Sequence, residues 1–338
     1  MAGKIGIQLH PITLRLLLPV GISFYTFQTL SYVIDIYRGQ VEPERHFGIY
    51  ATFISFFPQL VAGPIERTSN LLPQIKAEHV FNYNQATYGL KLMTWGFFKK
   101  LCIADNISMC VDKAFNDVYA FKGFAFVLAA FLFTIQIYCD FSGYSDIARG
   151  TAKIFGIDLM ENFKSPYFSA SIKEFWSRWH ISLSTWLSTW FRDYVYIPLG
   201  GNRVNKVRHY MNVMITFIIS GLWHGSNWTF IIWGAVHGFA QIIENAFFRR
   251  KEYRGFEAAF RVLLTFMFCM FAWIFFRVQN FTEAIYVFAN MFNGIGKPIA
   301  YLHDGFSDIG MSRAKLAISS LISVFCRFMT TFHARETT

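Results

Sequence analysis

The sequence predicts an all-α protein of membrane-embedded helices, and three observations carry that expectation. Charged residues make up only 15% of the chain, where a soluble domain carries about 25%. Hydrophobic residues reach 54%, and the mean hydropathy is +0.33. The apolar residues gather in long runs, several of them near the length a ~30 Å hydrocarbon core requires. A segment in hydrocarbon must satisfy its own backbone hydrogen bonds, so such runs read as helices.

The 40 Phe and nine Trp supply lipid-facing bulk and interfacial anchors. The formal charge of +10 falls in short loops between apolar runs, which fits the positive-inside bias and argues against nucleic acid as a partner. The five cysteines, Cys102, Cys110, Cys139, Cys269 and Cys326, are scattered and lack any CxxC, so they read as small buried hydrophobes. The N-terminal MAGKIGIQLHPITLRLLLPVG has no clear cleavage site, so insertion is expected to rely on the first membrane helix.

Along the chain, residues 12–34 form the first run, with Pro19 and Gly21 kinking it or marking its real start. Residues 35–46 read as a charged loop. The second run, 47–62, is short for a span and suits a tilted or re-entrant helix, with Gly63, Pro64 and Pro73 breaking any continuation. In 88–104, Lys91, Lys99 and Lys100 are expected to snorkel to the headgroups. Residues 124–139 lead into DFSGYSDIARG, where Asp140 and Asp146 lie on different helix faces. Gly143 there suits a close helix approach, and the aspartates suit caps or a pair with Arg149.

Residues 172–196 are amphipathic and interrupted, the pattern of a broken helix packed against others or along a cavity. After a basic loop at 203–209, apolar arms at 211–223 and 228–248 hinge at His224, Gly225, Ser226 and Asn227. Thirteen residues of helix rise about 20 Å, so a hairpin would carry His224 deep into the bilayer. One straight helix through both arms is the rival, and it would exceed any bilayer core. Residues 260–278 and 314–332 are further membrane candidates. With no fixed-period repeat and no soluble domain, the chain reads as one transmembrane domain over 1–338, with about seven to ten membrane segments.

The chemistry-bearing residues concentrate between Phe175 and Gly225. His180 and His224 each follow a tryptophan in a polar-bearing segment, and imidazole can take a proton near neutrality. His237 sits on an apolar helix, where a hydrogen bond to a neighbour would account for it. Trp223, Trp179, Arg178 and Asn227 are the candidate substrate-binding residues. Seven of the nine tryptophans lie from Trp176 to Trp233, enough to wall an apolar channel around a polar site. Arg178, Arg192 and Arg203 could receive a phosphate-bearing donor or serve as interfacial anchors. His180, His224 and Asp193 form no metal-binding spacing, and Ser182, Ser184 and Ser220 lack a GxSxG setting, so neither a metal nor a serine nucleophile is expected.

FWSRWHISLSTWLSTWFRDYVYIPLGGNR followed by NVMITFIISGLWHGSNWTFIIWGAVHG closely resembles the membrane-bound O-acyltransferase (MBOAT) family, in its bacterial branch of alginate O-acetyltransferase membrane subunits and teichoic-acid D-alanylation proteins. GISFYTFQTLSYVIDIYRG, FFPQLVAGPIER and QIYCDFSGYSDIARG look like the same branch. The resemblance implies a multi-pass enzyme of the cell (inner or plasma) membrane with a tunnel through the bilayer. The invariant family histidine maps onto His224 and the second onto His180. Such enzymes pass acyl groups, usually acetyl, from a cytoplasmic thioester such as acetyl-CoA to sugar hydroxyls of exported polysaccharides. Extracytoplasmic partner proteins can carry the group onward, and no cofactor is permanently bound. Family members carry several further helices before GISFYTFQ, which this chain is expected to lack. The rivals are D-alanyl transfer to teichoic acid, a non-catalytic assembly subunit, or a transporter, which would show inverted repeats with paired broken helices.

Overall fold

A computed structural model describes residues 21–60, 63–182, 205–247 and 253–310. Among them the chain is helical throughout, with turns between helices and no strand. The run at 314–332 and the start of the first run lie outside the described residues.

Helix α1, Ile22–Tyr37, begins at Gly21, whose left-handed backbone (φ 79) turns the chain into the helix. The charged loop behind it is tied back, because Glu44 N–H donates to the Tyr32 hydroxyl at 2.8 Å. Lys76 also pairs with Glu44, and its hydrogen-bonded ammonium holds that carboxyl below the usual range. The second apolar run does not span. Its helix α2, Phe47–Ile54, has only eight residues, and a 3₁₀ turn, Phe57–Gln59, follows. The helix packs on a small core that includes Tyr32, Phe53, Phe56, Leu71 and Leu72. Helix α3, Thr68–Lys76, runs through Pro73, where a break was expected. The missing proline N–H costs one internal bond in the closing turns, and buried Leu71 and Leu72 offset it.

The spine of the molecule is α4, Tyr83–Phe97, against α6, Phe124–Ile154, with α5, Asp105–Asn116, between them in sequence. At 31 residues α6 is about 46 Å long. Two reciprocal glycine contacts bring the helices together. A Cβ on Gly96 would lie 2.5 Å from the Gly143 carbonyl oxygen, and one on Gly89 would lie 2.5 Å from that of Gly150. Seven residues separate the glycines on each helix (96 − 89 and 150 − 143), so one antiparallel seam runs along both.

A π-helical stretch, Phe98–Ala104, then turns Lys99 and Lys100 onto α6. Lys99 Nζ lies 2.6 Å from Asp146 and 3.0 Å from the Ser142 hydroxyl. Lys100 lies 2.6 Å from Asp140 and 3.0 Å from Asp105. Snorkelling therefore fails for Lys99, which is only 6% exposed. The Asp146 carboxylate on the neighbouring helix lies within bonding distance, and pairing relieves the desolvation of both charges. Asp140 and Asp146 do serve separate partners, and Asp146 also reaches Arg149 at 3.6 Å.

The remaining helices are α7 (Ile172–Arg178), α8 (Lys206–His224), α9 (Trp228–Phe247), α10 (Gly255–Arg277), α11 (Phe281–Asn290) and α12 (Pro298–Asp308). Among the described residues, α6 and α10 are long and apolar enough to cross a membrane. The main core lies where α5, α6, α7, α10 and α11 meet, and it takes in Cys110, Cys139 and Cys269. Cys102 is exposed and Cys326 lies outside the described residues. Residues 206–209, expected as loop, form the first turn of α8, because Asn205 caps it by accepting the Arg208 N–H at 2.9 Å.

Helices α8 and α9 form the hairpin, and the straight-helix rival is excluded. A Cβ on Gly221 would lie 2.3 Å from the Phe230 carbonyl oxygen, and one on Gly234 would lie 2.2 Å from that of Phe217. The arms thus touch backbone to backbone. Gly234→Ala is expected to lower stability by about 1–3 kcal/mol, because the arms must separate. Gly296→Ala, with nothing within 4 Å, serves as the control and should shift the melting temperature in detergent negligibly.

Candidate functional site

The site is built where α7 meets the hairpin, and residues 183–196 of the expected broken helix lie outside the described residues. Helix α7 is short because its seven residues end at Trp179, which adopts an extended backbone. His180 follows with φ 45, a left-handed conformation that costs a non-glycine residue about 1–3 kcal/mol. The surrounding bonds over-determine it. Ile181 N–H donates to the Asn162 carbonyl at 2.7 Å, and Ser182 N–H donates to Asn162 Oδ1 at 3.0 Å. The Ser182 hydroxyl in turn accepts the Ile65 N–H at 3.0 Å, across 117 residues of sequence.

Glu66, next to Ile65, is 2% exposed and accepts the Asn70 side-chain amide at 2.6 Å and the Met160 N–H. Ile65 is thus bonded directly to the segment that carries His180. Glu244 of α9 anchors the other end of α7. Its two carboxylate oxygens accept the Ile172 and Lys173 N–H groups at 3.2 and 3.1 Å, a negative charge set on a helix N-terminus. Ser171 completes that cap by accepting the Glu174 N–H at 3.0 Å.

His224 closes α8 at the hinge and is half-buried, whereas His180 is 3% exposed. The aromatic rings of Trp223, Trp233 and Phe276 surround it edge-on, with centroids 4.7, 5.2 and 5.0 Å away. The Phe141 ring packs on His180 at 4.5 Å. A run of ring contacts through Phe163, Trp179, Trp273 and Phe276 joins His180 to His224. The stack Trp179, Trp273, Trp233 runs between their two segments, with centroid spacings of 5.1 and 5.8 Å. An apolar wall thus links two imidazoles that stand 44 residues apart in sequence (224 − 180).

The other candidates have more varied surroundings. Trp179 is 4% exposed and stacks on Phe175 and Trp273 inside the core. Arg178 pairs with Glu174 at 2.5 Å at the end of α7. Trp223 is half-buried beside the His224 ring. Asn227 is engaged by the protein itself, accepting the Thr229 N–H at 3.1 Å as the cap of α9 and donating to the Gln279 carbonyl. Arg192, Arg203, Asp193 and Ser184 lie outside the described residues. Ser220 is buried near the α8 hinge end.

His237 finds no hydrogen-bond partner for either ring nitrogen among the described residues, where a bond to a neighbour was expected. It is fully buried, with the rings of Trp233 and Trp176 at 5.0 and 5.1 Å, so packing holds it. Sequence reading missed Asn162, Glu66 and Glu244. Only Glu244 carried a signal, as a lone carboxylate near the end of an apolar helix.

Comparison with known proteins identifies a family for this sequence. The model of the MBOAT, membrane-bound O-acyltransferase family, matches residues 45–285. The probable alginate O-acetylase AlgI of Azotobacter vinelandii is 43% identical over 288 residues, covering 85% of this chain and 56% of the relative. The peptidoglycan O-acetyltransferase of Helicobacter pylori is 38% identical over 321 residues, covering 87% and 60%. The teichoic acid D-alanyltransferase of Bacillus subtilis is 28% identical over 277 residues, covering 78% and 69%. The chain spans little more than half the length of the acetylase relatives.

Removing the Glu244 carboxylate strands the first N–H groups of α7. Glu244→Ala is expected to cost about 1–3 kcal/mol, read as a lowered melting temperature in detergent, and Glu244→Gln, which keeps one acceptor, should cost less.

Proposed function

The chain belongs to the membrane-bound O-acyltransferase family, and from that membership we propose that it transfers an acyl group, most simply acetyl, from a cytoplasmic thioester to a hydroxyl of an exported or cell-surface polysaccharide. It is a membrane-integral protein. We further propose that it crosses the cell membrane several times, seven to ten membrane segments being the sequence expectation, and works with extracytoplasmic proteins that carry the acyl group to its final acceptor.

The observation that carries the reading is His224, half-buried at the hinge between α8 and α9, ringed by aromatic side chains and joined to His180 by a run of ring contacts. In the proposed step a neutral His224 ring nitrogen takes the proton of the acceptor hydroxyl as its oxygen attacks the thioester carbonyl carbon. The tetrahedral intermediate collapses, the C–S bond breaks, and the departing sulfur takes the proton back from His224. An ester and a free thiol result. His180, held in its fixed backbone conformation, orients the donor or assists the proton transfer. The aromatic wall limits water, which would otherwise compete as nucleophile. No permanently bound cofactor is needed for this step, since the thioester is itself a substrate.

The names of the relatives support the same bond chemistry on different polymers, alginate, peptidoglycan and teichoic acid. An alginate-like acceptor is the primary reading, given 43% identity to the alginate acetylase. D-alanyl transfer is the second, favoured by the 28% match to a D-alanyltransferase.

His224→Ala is expected to lower acetyl transfer by about 10²–10⁴ at matched membrane abundance. The measurement is ester-bound acetyl on exported polysaccharide from cells expressing either chain, alongside consumption of labelled thioester by their membranes. Equal acetylation by both chains would refute the role of His224, and thioester left intact by the wild type would refute the enzyme reading in favour of a transporter or assembly subunit.

A further inference from the structure

The rings that confine His224 belong to two different helices. Phe276, in the last turn of α10, lies 5.0 Å from the imidazole, while Trp233 and Phe230 of α9 lie 5.2 and 6.4 Å away. Phe230 and Phe276 also touch each other at 5.0 Å, so the imidazole stands against the meeting point of two helix ends. Ring contacts are short-ranged and only weakly directional. They fix His224 only if something else fixes the start of α9 against the end of α10.

Asn227, three residues after His224, makes that connection. Its Oδ1 accepts the Thr229 N–H and its backbone carbonyl accepts the Phe230 N–H, each at 3.1 Å, so it caps α9. Its Nδ2 donates to the Gln279 carbonyl, two residues past the end of α10. That segment is itself held, since Gln279 N–H donates to Glu283 Oε2 and Glu283 N–H donates to Asn280 Oδ1, both at 2.9 Å. The Thr229 N–H can only donate and the Gln279 carbonyl can only accept, so position 227 requires an acceptor and a donor on one side chain. The hinge has little slack. A Cβ on Gly225 would lie 2.7 Å from the Phe230 ring, so a shift in the first turn of α9 passes directly to the backbone beside His224.

We propose that Asn227, expected from the sequence to bind substrate, is instead a positioning residue: its side-chain amide latches the start of α9 to the end of α10 and so fixes the His224 imidazole between Phe276 and Trp233. Both amide atoms are already directed at partners within the protein. The weight of the latch in turnover rests on the acyl-transfer reading, whereas the latch itself rests on the two hydrogen bonds.

Two readouts on the full chain test it. The first is histidine modification by diethyl pyrocarbonate in detergent, followed by mass spectrometry at each histidine peptide. Asn227→Asp keeps an acceptor for the Thr229 N–H and loses the donor to Gln279, and it is expected to speed modification of His224 about tenfold, the effect of one lost hydrogen bond. His180 and His237, both sealed, are the internal check and should stay unmodified. The second readout is acetyl transfer by membranes at matched abundance of folded protein. Asn227→Asp should lower kcat about tenfold and leave KM for thioester and polysaccharide within about twofold. A His224 modification rate within about twofold of the wild type would overturn the latch. Faster modification at all three histidines would overturn it as well, since Asn227 would then hold the fold at large. So would an unchanged kcat, with a raised KM marking a substrate contact. If the wild type transfers nothing, the acyl-transfer reading fails and the modification of His224 still decides the latch.

Discussion

Direct backbone contact at glycine is the constraint on which the rest of the structure depends. In a bilayer, burial of apolar side chains gives helices little reason to associate, since the lipid is equally apolar. Association then rests on how closely the backbones can approach. The seam of Gly89 and Gly96 on Gly150 and Gly143 joins α4 to the long α6, and Gly221 and Gly234 do the same for α8 and α9. The first seam sets the spine against which the core packs. The second sets the hinge, and with it the place of His224.

Several polar groups inside this frame are matched across element boundaries. Lys99 meets Asp146 and Ser142, Glu244 meets the N-terminus of α7, and Asn162 meets Ile181 and Ser182. These contacts are also positioning devices. Glu244 ties the helix that leads into His180 to the same α9 that carries Trp233, whose ring touches His224. The two histidine segments are therefore placed by one element, and the left-handed turn at His180 persists because bonds on both sides hold it.

The site combines rigid aromatic walls with few open polar atoms, a setting suited to moving an acyl group while restricting water. His180 and His237 are sealed, and His224 keeps partial exposure at the hinge. That contrast separates the three histidines. Access distinguishes the one suited to proton transfer, and the aromatic packing of His237 accounts for its burial without any role in the chemistry.

Much of this was legible in the order of residues. Composition and run length determined the membrane class and the all-α fold, because hydrocarbon permits few alternatives for an apolar chain. The glycines and polar residues after Trp223 determined the hinge, and the density of Trp and His from Phe175 to Gly225 marked the candidate site. Local pattern misjudged Pro73, Lys99 and residues 206–209, each of which depends on a cap, a partner or a buried face. Only the tertiary structure decided that a run of aromatic rings joins His180 to His224, that Asn162 and Glu244 hold the segment around His180, and that Gln28 and Gln59 bond to each other. The reason is physical: periodicity encodes which face of a helix is apolar, whereas these contacts join side chains 20 to 117 residues apart and exist only once the glycine seams have fixed which helices touch.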